Sequence, residues 1–543
     1  MTSFVLLPLI TLDSPPALNL AQFATPGLSF PTMVVQDPVN PSVQFVCGLD
    51  GRVRVLQDQA ELNDSFIEFA SGTQILAMTF DPDPRYFYVY KSDGSGGNYS
   101  MKISRYRRDE SSDLVAEANS ETLILKLPYA SASVHRGGAL RFGPDGMLYI
   151  GTGDNKGAGE YFVNNPAQNP FELYGKFLRI NPHVDGFPAD PNKNYSIPPD
   201  NPFLDGNPIA AAPEIWSFGW RNPFRFHFDP LDKLGTGAMV VGETGNHTQE
   251  EIDYEPIGHG ARNYGWDRYE GDYLLNDIVP LAYGPHTMPI HVVPWINGYA
   301  MIGGGVYRGL QLGEEFFGRG FYADYLSGNV SSIKLNVQAN GEATASDEQA
   351  NEFNRALSGL VCIEPDSEGE MLIVRMNPAE LFRVVRENYT WLTGIQPMQG
   401  RVEQGQVRSL IAEDGKLLSV GFASAATNQK TREMRLEINA KTNKDSWSQV
   451  EIETLARLSL PATTQLRVEI YDWDSQEYEE LTSVTLSKSL TKYSFGASLT
   501  PGNVSQSKTV RFRLSAKFDR PVPFGQNSPS LSVQIDKFKL TLH

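Results

Sequence analysis

The sequence predicts an all-β chain, a six-bladed β-propeller followed by a C-terminal antiparallel β-sandwich. Three observations predict it. Up to about residue 390, an apolar run meets a Pro/Asp turn and then an aromatic-rich apolar run six times. After about residue 400, strict apolar/polar alternation replaces that phrase. Helical periodicity is nearly absent throughout. Phrases of the first kind read as hairpins, and hairpins repeated in series bury their faces only against neighbouring copies, which favours a radial architecture.

The elements follow in order. An apolar patch, Phe4–Leu12, lacks a preceding positive charge and a small-residue cleavage site, so an edge strand is expected rather than a leader. The first copy is Val34-Val-Gln-Asp37-Pro38 leading to Phe45-Val46. The second is Leu76-Ala-Met-Thr-Phe80-Asp81-Pro82 leading to Tyr86–Tyr90. The third and clearest is Leu140-Arg-Phe-Gly-Pro144-Asp145-Gly146-Met-Leu-Tyr149-Ile150. The fourth runs from Phe226-His-Phe228-Asp229-Pro230 to Met239–Val241. The fifth is looser, Gly304-Gly-Val-Tyr307 to Phe321-Tyr322, and the sixth runs from Val361-Cys-Ile-Glu-Pro365-Asp366 to Met371–Val374. Long insertions at 155–212 and 255–300 are expected to build a site, because long loops in compact domains usually do.

The propeller is expected over residues 20–390 and the sandwich over 400–543, with Gly394–Gly400 as connector. In the tail, Met434–Ile438, Leu466–Ile470, Val510–Leu514 and Val533–Ile535 alternate with period two, as half-buried strands do. Its Asp472-Trp473-Asp474 reads as a surface turn with a packed indole.

Composition narrows the function. The 543 residues carry a formal net charge of −18, which argues against a nucleic-acid partner, since that needs a basic stripe. No stretch is long enough to span a membrane as a helix. Two cysteines, Cys47 and Cys362, fall in the first and last copies and would meet in a closed ring; buried free thiols are the expectation.

Four constellations could carry chemistry. His135-Arg-Gly-Gly138 places an imidazole before the clearest repeat, where it would serve as a general base or simply as a turn residue. Gly151-Thr-Gly-Asp154-Asn155, with Glu160, Asn164, Asn165 and Asn169, offers oxygen ligands for a hard cation, or an ordinary polar loop. The Gly-x-Gly there is no dinucleotide fingerprint, because no helix follows. Trp220-Arg221-Asn222-Pro223 would clamp an anionic group. Gly242-Glu-Thr-Gly245-Asn246, then Gln249-Glu250-Glu251-Ile-Asp253, again suits calcium, since like-charge repulsion on one loop calls for a screening cation. At least one calcium at 243–253, held partly by main-chain oxygens, is expected. His286 and His291 lie close together in sequence without flanks that suggest a metal site.

In this order, these constellations resemble the glucose/sorbosone dehydrogenase family of six-bladed propellers. The matching phrases include Phe142–Asp154, Leu173-Tyr-Gly-Lys176-Phe-Leu-Arg179, Tyr195–Pro202, Glu214–Pro223, Asn263-Tyr-Gly-Trp266 and Gly304–Gly309. The resemblance covers about residues 25–386, and the tail is similar to a sandwich attached to secreted bacterial members. It implies a sugar or polyol oxidoreductase using pyrroloquinoline quinone (PQQ) and calcium, secreted, periplasmic or at the cell surface. By that resemblance His135 matches the base, Arg221 and Asn222 the cofactor contacts, Gly245 and Asn246 the carbonyls of the cofactor calcium, and Glu250 and Glu251 a second calcium loop. Asp154 is added as a metal ligand from its own loop. The chain departs from the quinoprotein branch in two places. Leu326 stands where that branch carries Lys, and Leu357-Ser-Gly-Leu360 where it carries an Arg-x-Arg-Asp cluster. Arg136, Arg308 or Arg355 would have to replace those charges. The alternative is a non-catalytic extracellular binding propeller for a glycan or protein, as in the Hedgehog-interacting-protein-like branch.

Overall fold

A computed structural model describes residues 18–542, apart from segments at 25–26, 28, 96–97, 130–132, 157–165, 296–298, 351–352, 354–355, 387–389, 400, 405–417, 422–431, 443–446, 460–463 and 519–531. The chain is all-β. Described helical structure is confined to short 3-10 turns such as Pro166–Gln168 and Leu231–Lys233. The Phe4–Leu12 patch, Glu160, Asn164, Asn165 and Arg355 lie outside the described residues.

Residues 18–386 form six main sheets of four or five strands, plus a two-stranded ribbon. Every hairpin read from the sequence is there. Pro31–Gln36 pairs with Val43–Gly48, Gln74–Phe80 with Tyr86–Ser95, and Leu140–Phe142 with Leu148–Thr152. Pro223–Phe228 pairs with Met239–Glu243, Met301–Val306 with Arg319–Asp324, and Leu360–Pro365 with Met371–Arg375. The recurring Asp has a local cause. Asp37 Oδ1 accepts from the N–H of Val39 and Asn40, Asp81 Oδ1 from Asp83, Asp145 Oδ1 from Met147, and Asp366 Oδ1 from Glu368. Each carboxylate closes its own turn and sets the register of the hairpin that follows.

The sheets contact one another in a closed cycle. The opening strand of the second packs on the first two strands of the first sheet and on the opening strand of the third. The third meets the fourth, the fourth the fifth, the fifth the sixth, and the sixth returns to Pro31–Gln36. Leu18–Ala24 supplies the outer strand of the sixth sheet by pairing with Glu380–Arg386, so the two ends of this region share one sheet.

Side chains of the opening strands fill the middle. Arg225, fully buried, donates to the carbonyls of Thr32 (2.7 Å), Leu76 (3.2 Å), Gly138 (3.2 Å) and Phe224 (3.1 Å). Arg141 grips Glu364 with two N–H···O bonds of 2.8 and 2.6 Å and donates to Phe226 O at 2.6 Å. Cys47 and Cys362 are buried free thiols beside this cluster, and burial pushes Cys362 up to about 11.

From 390 onward two five-stranded sheets follow, and the inward residues of both share one hydrophobic cluster. The alternating runs are strands: Leu466, Val468 and Ile470 are buried, as are Val510, Phe512 and Leu514. The expected connector is a correction. Residues through Gln399 belong to the strand Thr390–Gln399, paired with Arg432–Thr442. That strand lies at the edge of its sheet, where proline is tolerated, so its Gly/Pro/Gln composition disguised it. Asp472 Oδ1 caps its turn through the N–H of Asp474 and Ser475, and Trp473 packs 5.0 Å from the Tyr471 ring.

Glu370 shows how the sixth sheet is tied to the fifth. It is 2% exposed, accepts from the N–H of Leu310 (2.7 Å) and Gln311 (3.1 Å) and from Tyr307 Oη (2.8 Å), and burial pushes it up to about 7. A Cβ on Gly309 would fall 2.4 Å from its carboxyl carbon, so glycine here leaves room for this side chain. A carboxyl raised in the fold contributes stability that is present below its unfolded value of 4.5 and is lost as pH rises through about 7. Glu370→Gln should therefore gain on the wild type by about 2–3 kcal/mol between pH 5 and 8, read by urea unfolding at each pH. A constant difference across that range would show that Glu370 is ionised in the native protein.

Candidate active site

The loop carrying His135 is held from several sides. Tyr90 Oη donates to Arg136 O at 2.7 Å, Gly137 N–H donates to Asn222 Oδ1 at 2.9 Å, and Arg225 reaches Gly138 O. A Cβ on Gly153 would lie 2.3 Å from His135 O, so the glycine permits the loop to lie against the strand end. His135 is 5% exposed, and its Nδ1 stands 2.7 Å from Asp154 Oδ1. The same oxygen accepts from Lys156 N–H (3.0 Å), and Asp154 Oδ2 accepts from Trp266 Nε1 (2.8 Å). A buried carboxylate accepts, so Nδ1 carries the proton and Nε2 keeps its lone pair. Asp154, expected as a metal ligand, uses both oxygens in these contacts with protein groups.

Arg221 and Asn222 stand beside this pair. Their N–H groups both donate to Glu243 Oε1 at 2.7 Å, and Asp154 N–H donates to Arg221 O at 2.8 Å. The Arg221 guanidinium donates to Thr244 O (3.0 Å) and lies 5.4 Å from the Trp266 ring, while its buried Nε has no acceptor. That orphan N–H fits an anionic ligand. The other cations that could serve this site are committed. Lys156 pairs with Asp267 at 2.8 Å, Arg136 donates to Ser133 O (3.2 Å) and lies over Tyr99, and Arg308 holds Asp229 through two 2.7 Å bonds. Leu326 is half exposed, whereas Leu357 and Leu360 are core residues.

The acidic segment does not act as one loop. Gln249–Glu255 is a strand, so Glu250 and Glu251 point to opposite faces. Glu251 lies opposite Glu243 and Asp253 opposite Val241, which puts Glu243, Glu251, Asp253 and Glu255 on one face. Orphaned buried oxygens concentrate there: Glu243 Oε2, Glu251 Oε2 and both of Asp253. Burial holds Glu243, Glu251 and Asp253 well above the usual carboxylate range, and for Glu251 the neighbouring carboxylates add to it. Glu255, bonded to Trp216 Nε1 and Tyr264 Oη, is pushed up to about 7 by burial. Among the described residues no three acidic, His or Cys side chains converge as a metal site, yet these unpaired oxygens suit a hard cation that also takes main-chain carbonyls. Asn169 caps Phe171 N–H at 3.0 Å as a turn residue. His286 stacks on Tyr269, and His291 stands beside Glu348 and Tyr322.

Sequence reasoning missed Glu270. Its Oε1 accepts from four successive N–H groups, Asn246 (2.6 Å), His247 (2.8 Å), Thr248 (2.8 Å) and Gln249 (3.2 Å). One carboxylate oxygen thereby fixes the turn that begins at Gly245. Lys156 and Asp267 were missed too, and Trp266, named within a matching phrase, was given no link to Asp154, because nothing in their spacing places them there. Glu270→Ala leaves these donors without an acceptor, at about 1–3 kcal/mol for each that stays buried. Hydrogen exchange at 246–249 should then quicken at least about tenfold, with most protection recovered in Glu270→Gln. Unchanged exchange in the Ala variant would remove this role.

Residues 45–375 match the family Glucose / Sorbosone dehydrogenase. The chain is 36% identical over 205 residues to the HIPL2 protein of Arabidopsis thaliana, covering 35% of this chain and 28% of that protein. It is 29% identical over 192 residues to the aldose sugar dehydrogenase YliI of Escherichia coli, covering 35% and 44%. It is 28% identical over 339 residues to the Hedgehog-interacting protein of Mus musculus, covering 57% and 43%. In each case the match spans less than half the relative's own length.

Proposed function

We propose that this chain, which belongs to the glucose/sorbosone dehydrogenase family, oxidises a hydroxyl of a sugar or polyol, with His135 as the base. The carrying observation is the 2.7 Å contact from buried Asp154 to His135 Nδ1, which leaves Nε2 free to take the substrate proton. The closed cycle of six sheets supports a six-bladed propeller over about 20–390, and the two tail sheets support an accessory sandwich over about 400–543. Such propellers carry their sites on loops at one end.

Arg221 and Asn222 would hold PQQ, the orphan Nε of Arg221 meeting its negative charge. Bound PQQ supplies the hydride acceptor. Asp154 keeps the ring in the reactive tautomer and steadies the imidazolium as the proton arrives. Trp266 and the Lys156–Asp267 pair hold Asp154 and its loop in a dry setting. Glu251, Asp253 and Glu243, with the carbonyls of Gly245 and Asn246, would hold calcium. A secreted, periplasmic or cell-surface location accompanies this reading, and no described helix is long and apolar enough to cross a membrane. The partner class is a sugar or glycan, and the acidic net charge supports no nucleic-acid role.

The second reading is a propeller that binds a glycan or protein without catalysis. It is favoured by Leu326 and by the commitment of Arg136, Lys156 and Arg308, which leave Arg221 as the orphan-bearing cation for a cofactor with three carboxylates.

Reconstitution with PQQ and calcium decides between them. Aldose-dependent dye reduction is expected, lost by about 10²–10⁴-fold in His135→Ala and clearly reduced in Asp154→Asn. No dye reduction and no quinone absorbance on the protein would leave the binding reading. Calcium is tested separately by melting. Binding only to the folded chain, it should raise stability by about 2.7 kcal/mol at a hundredfold excess over its dissociation constant. Chelation should lower the melting temperature more in wild type than in Glu251→Gln/Asp253→Asn. An unchanged melting temperature after exhaustive chelation, with no metal by elemental analysis, would show that no calcium is held.

A further inference from the structure

Two buried side-chain amides meet where the insertion after Thr152 packs on the turn Asn263–Trp266. Gln168 ends the 3-10 turn Pro166–Gln168 and is 7% exposed, and Asn263 is 1% exposed. Gln168 Nε2 donates to Asn263 Oδ1 at 2.8 Å, and Asn263 Nδ2 donates back to Gln168 Oε1, also at 2.8 Å. The second proton of Gln168 Nε2 goes to Trp266 O (2.9 Å), and that of Asn263 Nδ2 to Tyr283 O (3.0 Å). Gln168 Oε1 also accepts from Ala282 N–H (2.8 Å), and Asn263 Oδ1 from Gly265 N–H (3.1 Å). An amide side chain offers two protons and two lone-pair sites, and both amides use them all. Turning either amide over would set proton against proton and oxygen against oxygen, so the network admits one arrangement.

The pair reaches the candidate site through one residue. Trp266 has both backbone groups bonded, its N–H to Gly219 O at 3.0 Å and its carbonyl to Gln168. Its indole Nε1 donates to Asp154 Oδ2, whereas Lys156 N–H, the backbone donor to Oδ1, belongs to Asp154's own loop. Trp266 therefore ties the Asp154 carboxylate to a separate element, while Oδ1 faces His135 Nδ1. We infer that Gln168 and Asn263 are positioning residues of this site. Their amide pair fixes Trp266, and the Trp266 indole fixes the rotation of the carboxylate that faces His135. The inference rests on the reading of His135 as the base, for which the direction of the imidazole decides whether the proton can pass.

Hydrogen exchange at the Trp266 indole tests it, read by NMR of the calcium-supplied full chain carrying 15N-labelled tryptophan. The signal is assigned by its loss in Trp266→Phe. Gln168→Glu keeps both acceptors for Asn263 Nδ2 and Ala282 N–H and sets an oxygen where the donor to Trp266 O and Asn263 Oδ1 stood. Exchange of the Trp266 indole proton should then quicken at least about tenfold. The indoles of Trp216 and Trp220, bonded to Glu255 and Ser217, should keep their rates. Gln168→Met, uncharged and of similar length, gives the same readout should Gln168→Glu fold poorly. In the chain reconstituted with PQQ and calcium, kcat should fall about tenfold or more with KM within about twofold, and the same substitution should cost little further in a Trp266→Phe background. An unchanged Trp266 exchange rate in both variants overturns the inference, and so does equal quickening at all three indoles, which marks general loosening. Additive losses of kcat in the double variant would also overturn it, because the pair would then not act through Trp266. If the wild type reduces no dye, the oxidase reading fails by itself and the indole exchange still decides whether the pair holds Trp266.

Discussion

The middle of the six-sheet region is held by charge in a dry place. Arg225 is taken out of water entirely, and its terminal nitrogens donate to the carbonyls of Thr32, Leu76, Gly138 and Phe224. A fully buried guanidinium is tolerated only where such acceptors converge. The consequence is geometric. The opening strands of the first, second and fourth sheets, and the loop ahead of the third, are positioned against one cation, and Arg141–Glu364 adds the sixth. The Gly138 carbonyl is one of those acceptors, three residues from His135, so the fold's central tie also supports the loop that carries His135.

The acidic face of the fourth sheet is the converse. Glu243, Glu251 and Asp253 are buried with orphaned oxygens, and for Glu251 and Asp253 neighbouring carboxylates add to the cost of charge. Natural interiors seldom keep such groups without a counter-ion or proton. A divalent cation held by these oxygens would satisfy them.

What could be read from the sequence divides by range. The hairpins were legible because each is closed by its own Asp, as with Asp37 and Val39 or Asp145 and Met147. His135 and Asp154 were both singled out, yet their partnership was not, because the strand between them had to fold back first. Trp266 reaches Asp154 across 112 residues, and no local rule carries that far. Strand alternation could have separated Glu250 from Glu251, but the density of acids suggested a loop. Thr390–Gln399 was hidden by residues that usually mark connectors and are here tolerated at a sheet edge.

The pairing of Leu18–Ala24 with Glu380–Arg386 has one more consequence. Seven residues from one end of this region cover the outer edge of a sheet whose other strands come from the far end. They act as a cover strip. If they detach, Glu380–Arg386 presents a row of unpaired backbone donors and acceptors, a template onto which another chain can add a strand. The same short strand that finishes the ring therefore also guards the molecule against self-association.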